Sequence, residues 1–196
     1  MRRVLPPLLC CALLLTLAVR PAAAGEPRIL LVGDSWAWFM HINGSFERAF
    51  KARGIEGIGV EGSFTTVPGS TSEQWTQPAW LAQITKALET YPTLDVVHIS
   101  LGGNDFLRGW TPDMPVAART ALFQGVVDDL EIIVTHIHKV RPDINVAIIN
   151  YDYINATRGG STLQQLNRAG QILAGMKRDL AMRLPNTDYI QNYGLM

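Results

Sequence analysis

The sequence predicts a three-layer α/β domain built on a parallel sheet of about five strands. Two observations support this fold class. Short apolar runs alternate along the chain with longer segments whose apolar residues recur at helical spacing. The apolar runs lack polar alternation, as expected for strands that are covered on both faces. Parallel strands joined by helices need right-handed crossovers, which place helices on both sides of the sheet.

The first 24 residues are expected to be a secretory signal rather than part of the fold. Arg2 and Arg3 precede an apolar run over residues 4–19, and three alanines end the segment at Ala24. A basic start, a short apolar region and an A-x-A end are typical of a signal that is cut after Ala24. The alternative is an uncleaved membrane anchor, but the run contains prolines and only about a dozen strongly apolar residues. We therefore expect a secreted or periplasmic protein.

Residues 25–196 are long enough for a single domain with one core. Both cysteines, Cys10 and Cys11, lie in the predicted signal, so we expect no disulfide in the domain. The full chain carries 17 Lys and Arg against 17 Asp and Glu without a basic run, which argues against nucleic acid as a partner. Beyond the signal, no apolar run reaches membrane-spanning length.

The first elements of the domain follow from an apolar run and from glycine positions. Residues 29–32 are predicted to form a buried strand. Residues 36–53 carry apolar residues at helical spacing, and Gly54 can end this helix. Asn43-Gly44 is a weak point at which the helix can break. A short second strand is predicted over residues 58–60.

The middle of the chain begins with a loop over residues 62–72 that is rich in Gly, Ser, Thr and Pro. Thr71 or Ser72 can cap the helix that follows. That helix is predicted over residues 78–91, because its apolar residues line one face and a proline comes next. The third strand is predicted over residues 94–101.

The last third of the chain continues the alternation. Residues 106–115 contain two prolines and are predicted to form an irregular loop. A long helix over residues 116–140 leads to a fourth strand over residues 144–150. A second long helix is predicted over residues 161–184, and a short fifth strand over residues 187–190. We find no repeat and no linker, so the domain is predicted to be single.

Polar motifs directly follow the first and the third predicted strands. Gly33-Asp34-Ser35 comes after the first, and Gly102-Gly103-Asn104-Asp105 comes after the third. Because ligands bind beyond the carboxyl ends of parallel strands, we expect both motifs at one crevice. Alone, Ser35 could be a helix cap and Asn104 a turn residue with local backbone bonds. Their shared position favours a functional site.

In order and spacing these motifs resemble the SGNH, or GDSL-type, hydrolase superfamily. Gly33-Asp34-Ser35 is similar to its first block, a glycine in the next loop to its second, and Gly102-x-Asn104-Asp105 to its third. The similarity runs from Arg28 to about Ile190, and Trp36 stands at the fourth letter of GDSL. The resemblance implies a flavodoxin-like α/β/α fold. Members of the superfamily are esterases, lipases, lysophospholipases, thioesterases and carbohydrate deacetylases.

The resemblance also implies an oxyanion hole around Ser35. Ser35 matches the nucleophile, whose hydroxyl needs a base within hydrogen-bond reach. The backbone N–H groups of Ser35 and Gly69 and the carboxamide of Asn104 match the oxyanion donors. Gly69 is preferred as the second-block glycine because it lies just before a predicted helix. Gly62 is the alternative, and either glycine could be only a turn residue.

Four further residues are candidates for shaping this site. Asp34 and Asp105 are expected to bond loop amides and thereby hold the two motifs in place. Trp36 directly follows the nucleophile, where it packs rather than reacts. Trp110, together with Trp75, is a candidate for the wall of an acyl or sugar pocket, with core packing as the alternative role.

The base of the superfamily has no match in this sequence. The superfamily places an Asp and its base His in a late D-x-x-H block, and no histidine occurs after His138. The stretch ending at His98 fits these letters but lies within a predicted strand, on the order of 15–20 Å from Asn104. His41 and His136 are assigned packing or helix-end roles. We therefore expect a domain that is incomplete at its C-terminus, and little or no activity for the 196-residue form.

The sequence thus predicts a serine ester hydrolase of the SGNH type that acts on an acyl ester or an O-acetylated carbohydrate. The small ester substrate is the expected partner. No metal-ligand cluster or phosphate-binding loop occurs in the sequence, so no cofactor is expected. The alternative is a non-catalytic ligand-binding module that keeps the crevice without the base. The sequence leaves the substrate and the oligomeric state open.

Overall fold

The computed structural model describes residues 25–151 and 160–192. The signal predicted over residues 1–24 lies outside these ranges. None of the helices they contain is both long enough and apolar enough to cross a bilayer. The elements in chain order are β1 (Pro27–Gly33), α1 (Ser35–Ile42), α2 (Ser45–Lys51), β2 (Gly59–Glu61), α3 (Ser72–Trp75), α4 (Pro78–Thr90), β3 (Val96–Ser100), α5 (Gly103–Gly109), α6 (Val116–Val140), β4 (Asn145–Ile149), α7 (Gly160–Arg183) and β5 (Thr187–Ile190).

The described strands form one parallel sheet in the order β2-β1-β3-β4-β5. The predicted α/β architecture with a parallel sheet of five strands is therefore confirmed. β1 lies next to β3, with Leu31 opposite His98 and Gly33 opposite Ser100. Because the two strands end side by side, the motifs that follow them open onto the same point of the sheet edge.

Alternate residues of the central strands face different layers, as the two-residue period of a strand requires. Leu30 and Val32 belong to the larger core cluster, which includes Phe123 of α6. Leu31 faces the other side and packs with Ala37 of α1. Full burial of one such aliphatic side chain stabilises the fold by roughly 1.5–3 kcal/mol. Helices thus cover both faces of the sheet, and β1 and β3 are fixed in register beneath the motifs.

The helix predicted over residues 36–53 is divided into α1 and α2. The break falls at Gly44, which has a left-handed backbone with φ of +57°. Glycine adopts this conformation without the steric cost that other residues meet. Asn43-Gly44 was predicted as the weak point of this helix, and the structure places the interruption there.

The irregular loop predicted over residues 106–115 is wrong in its first part, because α5 extends to Gly109. Phe106 is buried against Phe123 at a ring distance of 5.5 Å. This tertiary packing outweighs the low helix propensity of the glycines that begin and end α5. The turn before α5 is possible because Gly102 has φ of +92°.

Candidate active site

Ser35 follows β1 and is the first residue of α1. The cap of this helix is Asp34, whose Oδ1 accepts a hydrogen bond from the Trp36 N–H at 3.0 Å. The cap role considered for Ser35 therefore belongs to its neighbour. The backbone N–H of the first helical residue has no acceptor inside the helix, so that of Ser35 can serve a ligand. Ser35 itself is half-buried.

Asn104 follows β3 and is the second residue of α5. Its Nδ2 donates to the Ser70 carbonyl oxygen at 2.8 Å and lies 3.4 Å from Asp34 Oδ2. A carboxamide nitrogen carries two protons, and the second of these contacts is long. A developing anion could replace the contact with Asp34 while the bond to Ser70 keeps the side chain in place.

Asp105 connects this turn to the loop before α3. Its carboxylate accepts hydrogen bonds from the Ser72 N–H at 3.0 Å and from the Ser72 hydroxyl at 2.8 Å. The same hydroxyl lies 2.9 Å from Asp129 Oδ2 on α6. Burial raises the pKa of Asp129, and the nearby charge of Asp105 acts in the same direction. These polar contacts hold three separate chain segments together behind the site.

The two candidate second-block glycines have different surroundings. Gly69 has φ of +79° and precedes Ser70, whose carbonyl oxygen binds Asn104. Gly62 packs against His41, because a Cβ added there would lie 3.0 Å from the ring atom Cγ. Gly69 is thus one residue from a direct contact with the oxyanion candidate.

Ser35 and Asn104 line one cavity, with a volume of about 240 Å³. Its lining comes from α1, from α5, from the segment after β4 and from the first half of α7. The apolar part of the lining consists of Trp36, Phe106, Leu107, Leu166 and Leu173. The polar side chains of the lining belong to Asp34, Ser35, Asn104, Asn150, Tyr151 and Asn167.

Tyr151 lies beside the turn that carries Ser35, and the sequence did not predict it. Its hydroxyl donates to Asp34 Oδ2, and its ring lies edge-on to that of Trp36 at 6.2 Å. Burial raises the pKa of Asp34, while the hydrogen bond from Tyr151 opposes the shift. Burial and the neighbouring Asp34 charge raise the pKa of Tyr151 well above its usual value. Tyr151 is therefore a hydrogen-bond donor at neutral pH and not a base.

The tryptophans divide between the cavity and the core. Trp36 is 50% exposed and lines the cavity. Trp110 packs on Phe106 at a ring distance of 5.8 Å and is not among the lining residues. Trp75 is fully buried and donates to the Ser70 hydroxyl at 2.9 Å. Among the tryptophans considered for a pocket wall, the structure places Trp110 and Trp75 in core packing.

The four histidines of the sequence all lie in the described part of the chain, and none of them lines the cavity. His98 is buried in β3, and burial lowers its pKa to about 4. Asp95, three residues earlier, pairs with Arg28 instead. No group of His, Cys, Asp and Glu in residues 25–151 and 160–192 could hold a metal ion. The other histidines contact the Ser63 hydroxyl (His41), the Thr85 hydroxyl (His136) and the Ile144 carbonyl oxygen (His138).

The sequence model of the GDSL-like Lipase/Acylhydrolase family matches residues 31–194, which include both motif turns and the cavity. The chain belongs to this family. The predicted SGNH/GDSL resemblance is thereby confirmed. A search of curated protein sequences gives no match.

Solved structures of two lipases and an esterase share the fold. The lipase Lip_vut3 from a goat rumen metagenome aligns with a TM-score of 0.62 at 12% identity, over 86% of this chain and 82% of that one. The extracellular lipase from Streptomyces rimosus aligns with a TM-score of 0.56 at 17% identity, over 85% and 80%. The acetyl xylan esterase AlAXEase gives a TM-score of 0.52 at 14% identity, over 84% and 76%. The fold is that of the SGNH hydrolases, as predicted.

Two residues in or beneath this GDSL-like acylhydrolase site were not predicted from the sequence, although each has a feature that could have indicated it. Tyr151 lies two residues after the end of β4, at the sheet edge where the other motifs lie. Lys177 occupies a position in the apolar stripe of α7 that Leu173 and Leu180 continue on either side. A lysine at an apolar position of a helix indicates a buried partner, and its partner is the Leu101 carbonyl oxygen.

Proposed function

We propose that this chain is a serine ester hydrolase with Ser35 as its nucleophile. One observation carries the proposal: Ser35 and Asn104 line a single, mostly apolar cavity at the ends of neighbouring strands. Asp34, as the helix cap, and Ser70, as the acceptor for Asn104, fix these two side chains relative to each other. Membership of a lipase/acylhydrolase family supports the same chemistry.

In the proposed reaction the Ser35 Oγ attacks the carbonyl carbon of the ester, and its proton passes to a base. The carbonyl oxygen becomes an oxyanion, which accepts hydrogen bonds from the N–H groups of Ser35 and Gly69 and from Asn104. Loss of one such donor typically costs about 3–4 kcal/mol of transition-state stabilisation. The alcohol then leaves with a proton, and water releases the acyl group as a carboxylic acid and restores the serine hydroxyl.

The cavity favours an apolar acyl group over an O-acetylated sugar. Its volume of about 240 Å³ holds roughly eight groups the size of a water molecule, at about 30 Å³ each. Phe106, Leu107 and Leu173 supply walls that cannot hydrogen-bond to sugar hydroxyls. Nitrophenyl esters with acyl chains of increasing length test this preference: the rate should rise from acetate to a chain of about eight carbons and then fall.

The group that must accept the Ser35 proton is expected to limit the reaction rate of the 196-residue chain. Within residues 25–151 and 160–192, none of the four histidines lines the cavity, and the titratable side chains that do, Asp34 and Tyr151, bind each other. We expect slow turnover that rises when free imidazole is added, because a small base can act where a side chain is missing. If the four histidine positions can be changed to glutamine without loss of a high rate, the assignment of slow turnover to the missing base is wrong.

Covalent labelling of Ser35 by a fluorophosphonate tests the nucleophile directly. We expect one label per chain on the peptide that contains Ser35, located by mass spectrometry. Ser35→Ala should lose the label, whereas Ser63→Ala, at an exposed serine, should keep it. If no label forms even with imidazole present, the hydrolase proposal fails.

A non-catalytic ligand-binding module is the second candidate, and the placement of the histidines away from the cavity favours it. In that case a fatty acid should bind in the cavity and quench Trp36 fluorescence, while Ser35 should stay unlabelled. The two candidates thus differ in the covalent product and not in ligand binding.

We also propose a secreted or periplasmic location. The proposal rests on the basic, apolar and small-residue pattern of residues 1–24. Mass spectrometry of the exported protein should find a chain that begins at Gly25. Recovery of the uncut chain in the membrane fraction would instead support the anchor alternative.

A further inference from the structure

Lys177 is a fully buried lysine beneath the turn that carries Asn104. It projects from α7, and its Nζ donates to the Leu101 carbonyl oxygen at 2.6 Å. Leu101 directly precedes Gly102 and Gly103 in the sequence. A buried ammonium is unfavourable unless hydrogen bonds and opposite charge compensate its lost hydration. The compensation comes from the two motif turns themselves.

Three groups from three chain segments face this ammonium. Asp34 lies in the turn that carries Ser35 (residues 33–35, the nucleophile turn), and Asp105 lies in the turn that carries Asn104 (residues 102–105, the oxyanion turn). Both carboxylates attract the ammonium, and their charges oppose the lowering of its pKa. The Tyr151 ring, after β4, has its centroid 5.4 Å from Nζ, within the range of a cation–π contact. Burial is the dominant effect and lowers the pKa of Lys177 to about 8.

The main chain of the oxyanion turn lies directly on these two side chains. A Cβ added at Gly102 would lie 3.3 Å from Lys177 Nζ, and one added at Gly103 would lie 2.5 Å from Tyr151 Cζ. Glycine at position 103 therefore lets the turn lie against the tyrosine ring. At position 102 the nearest atom to an added Cβ is Val126 Cγ1 at 2.6 Å, and the lysine comes next. Tyr151 continues the connection to the nucleophile turn, because its hydroxyl donates to Asp34.

We propose that Lys177 and Tyr151 are positioning residues that hold the nucleophile turn and the oxyanion turn in fixed register. Lys177 does not line the cavity, so it acts through Leu101 and Asp34 rather than as the base for Ser35. The consequence for reaction rate rests on the proposed function, whereas the contacts among Leu101, Lys177, Tyr151 and Asp34 can be tested without any catalysis.

The first test follows the carbonyl ¹³C resonance of Leu101 and the carboxamide resonance of Asn104 by NMR as pH rises. Both should shift with one midpoint near the Lys177 pKa of about 8. Lys177→Met removes the ammonium but keeps most of the stem, and should abolish this transition. Lys139→Met, the same change at an exposed lysine, should leave the transition intact. Survival of the transition in Lys177→Met, or Leu101 and Asn104 resonances that are the same in Lys177→Met and wild type at neutral pH, would overturn the proposal.

The second test measures the rate at which a fluorophosphonate labels Ser35. Tyr151→Phe and Lys177→Met should lower the maximal labelling rate at least tenfold with little change in the half-saturating reagent concentration. A role limited to global stability would lower the amount of folded protein without changing the rate per folded chain. Unchanged maximal rates and unchanged Asn104 resonances in Tyr151→Phe would refute the positioning role, even if Lys177→Met fails to fold.

Failure of the proposed function is distinguishable from failure of this inference. If the wild-type chain is not labelled, Ser35 is not a reactive nucleophile, and the proposed function fails. The NMR transition and its loss in Lys177→Met then decide alone whether the lysine and the tyrosine position the turns.

Discussion

Replacement of Gly103 by alanine is the sharpest test of how tightly the site is packed. The added Cβ would lie 2.5 Å from Tyr151 Cζ and 2.9 Å from the Tyr151 hydroxyl oxygen. Non-bonded carbon atoms are at their optimum near 3.5–4.0 Å. The tyrosine ring would therefore have to move by about 1 Å, away from its hydrogen bond with Asp34.

Two costs and one gain set the magnitude of this change. Overpacking typically costs about 1–3 kcal/mol, and loss of a hydrogen bond to a carboxylate costs a further ~1.5–3 kcal/mol. Alanine in place of a helical glycine regains at most about 1 kcal/mol, and Gly103 is only the first residue of α5. The two costs exceed the gain, so we expect Gly103→Ala to lower the free energy of unfolding by roughly 1.5–6 kcal/mol.

Urea denaturation monitored by circular dichroism measures this change. Gly125→Ala is the matched control, because Gly125 is helical and a Cβ there would have no neighbour within 4 Å. The control should be more stable than wild type by about 0.5–1 kcal/mol. In a Tyr151→Ala background, Gly103→Ala should lose most of its cost, since the ring it meets is gone. A Gly103→Ala protein as stable as wild type would refute the packing argument.

Three further predictions concern the supports of the site. Ser72→Ala removes the hydroxyl shared by two carboxylates and should cost about 1–3 kcal/mol in urea denaturation, while Ser161→Ala, at an exposed serine, should cost little. Thr71→Ala breaks the capping box of α3 and should lower the stability by about 1 kcal/mol. His98 is neutral in the folded chain until its pKa of about 4 is reached, whereas its ordinary pKa is 6.5. The unfolded chain therefore binds more protons in this window, and stability should be lost as pH falls from about 6.5 to about 4, by roughly 3 kcal/mol.

Each of these predictions has an outcome that would contradict it. A Ser72→Ala protein with the stability of Ser161→Ala would mean that the two carboxylates find other donors. An unchanged Thr71→Ala protein would mean that α3 is held by packing alone. His98→Leu should flatten the pH dependence between about 6.5 and about 4, whereas His138→Gln should not. An equal slope in wild type and His98→Leu would assign the acid sensitivity to other groups.

The parts of the site that the sequence could predict are those that depend on local pattern. Ser35 and Asn104 lie within four residues of the ends of apolar strands, so the rule for parallel sheets places them at one edge. α6 was predicted with the observed bounds, Val116–Val140, because a proline precedes it and another follows closely. α5 was missed because its helical state depends on the burial of Phe106 against Phe123, which no local pattern shows.

Tyr151 and Lys177 were missed for a related reason. Tyr151 contacts a carboxylate 117 residues away, and Lys177 contacts a carbonyl group 76 residues away. Neither residue belongs to a motif, and their roles follow from the positions of strands and helices rather than from neighbours in the chain. A lysine in the apolar stripe of α7 indicates a buried partner. Which group is the partner depends on the turn that packs against the helix.

The sequence separation of these contacts has a consequence for folding. Asp34 meets Asn104 across 70 residues and Tyr151 across 117. Contacts of such separation form only after long chain segments have closed, which slows folding relative to local contacts. A slip of β4 by one residue would also turn the side chains that follow it to the opposite face of the sheet. The cavity beside Ser35 therefore forms only when β1, β3 and β4 are paired in register. A ligand that binds there would report that the sheet has finished assembling.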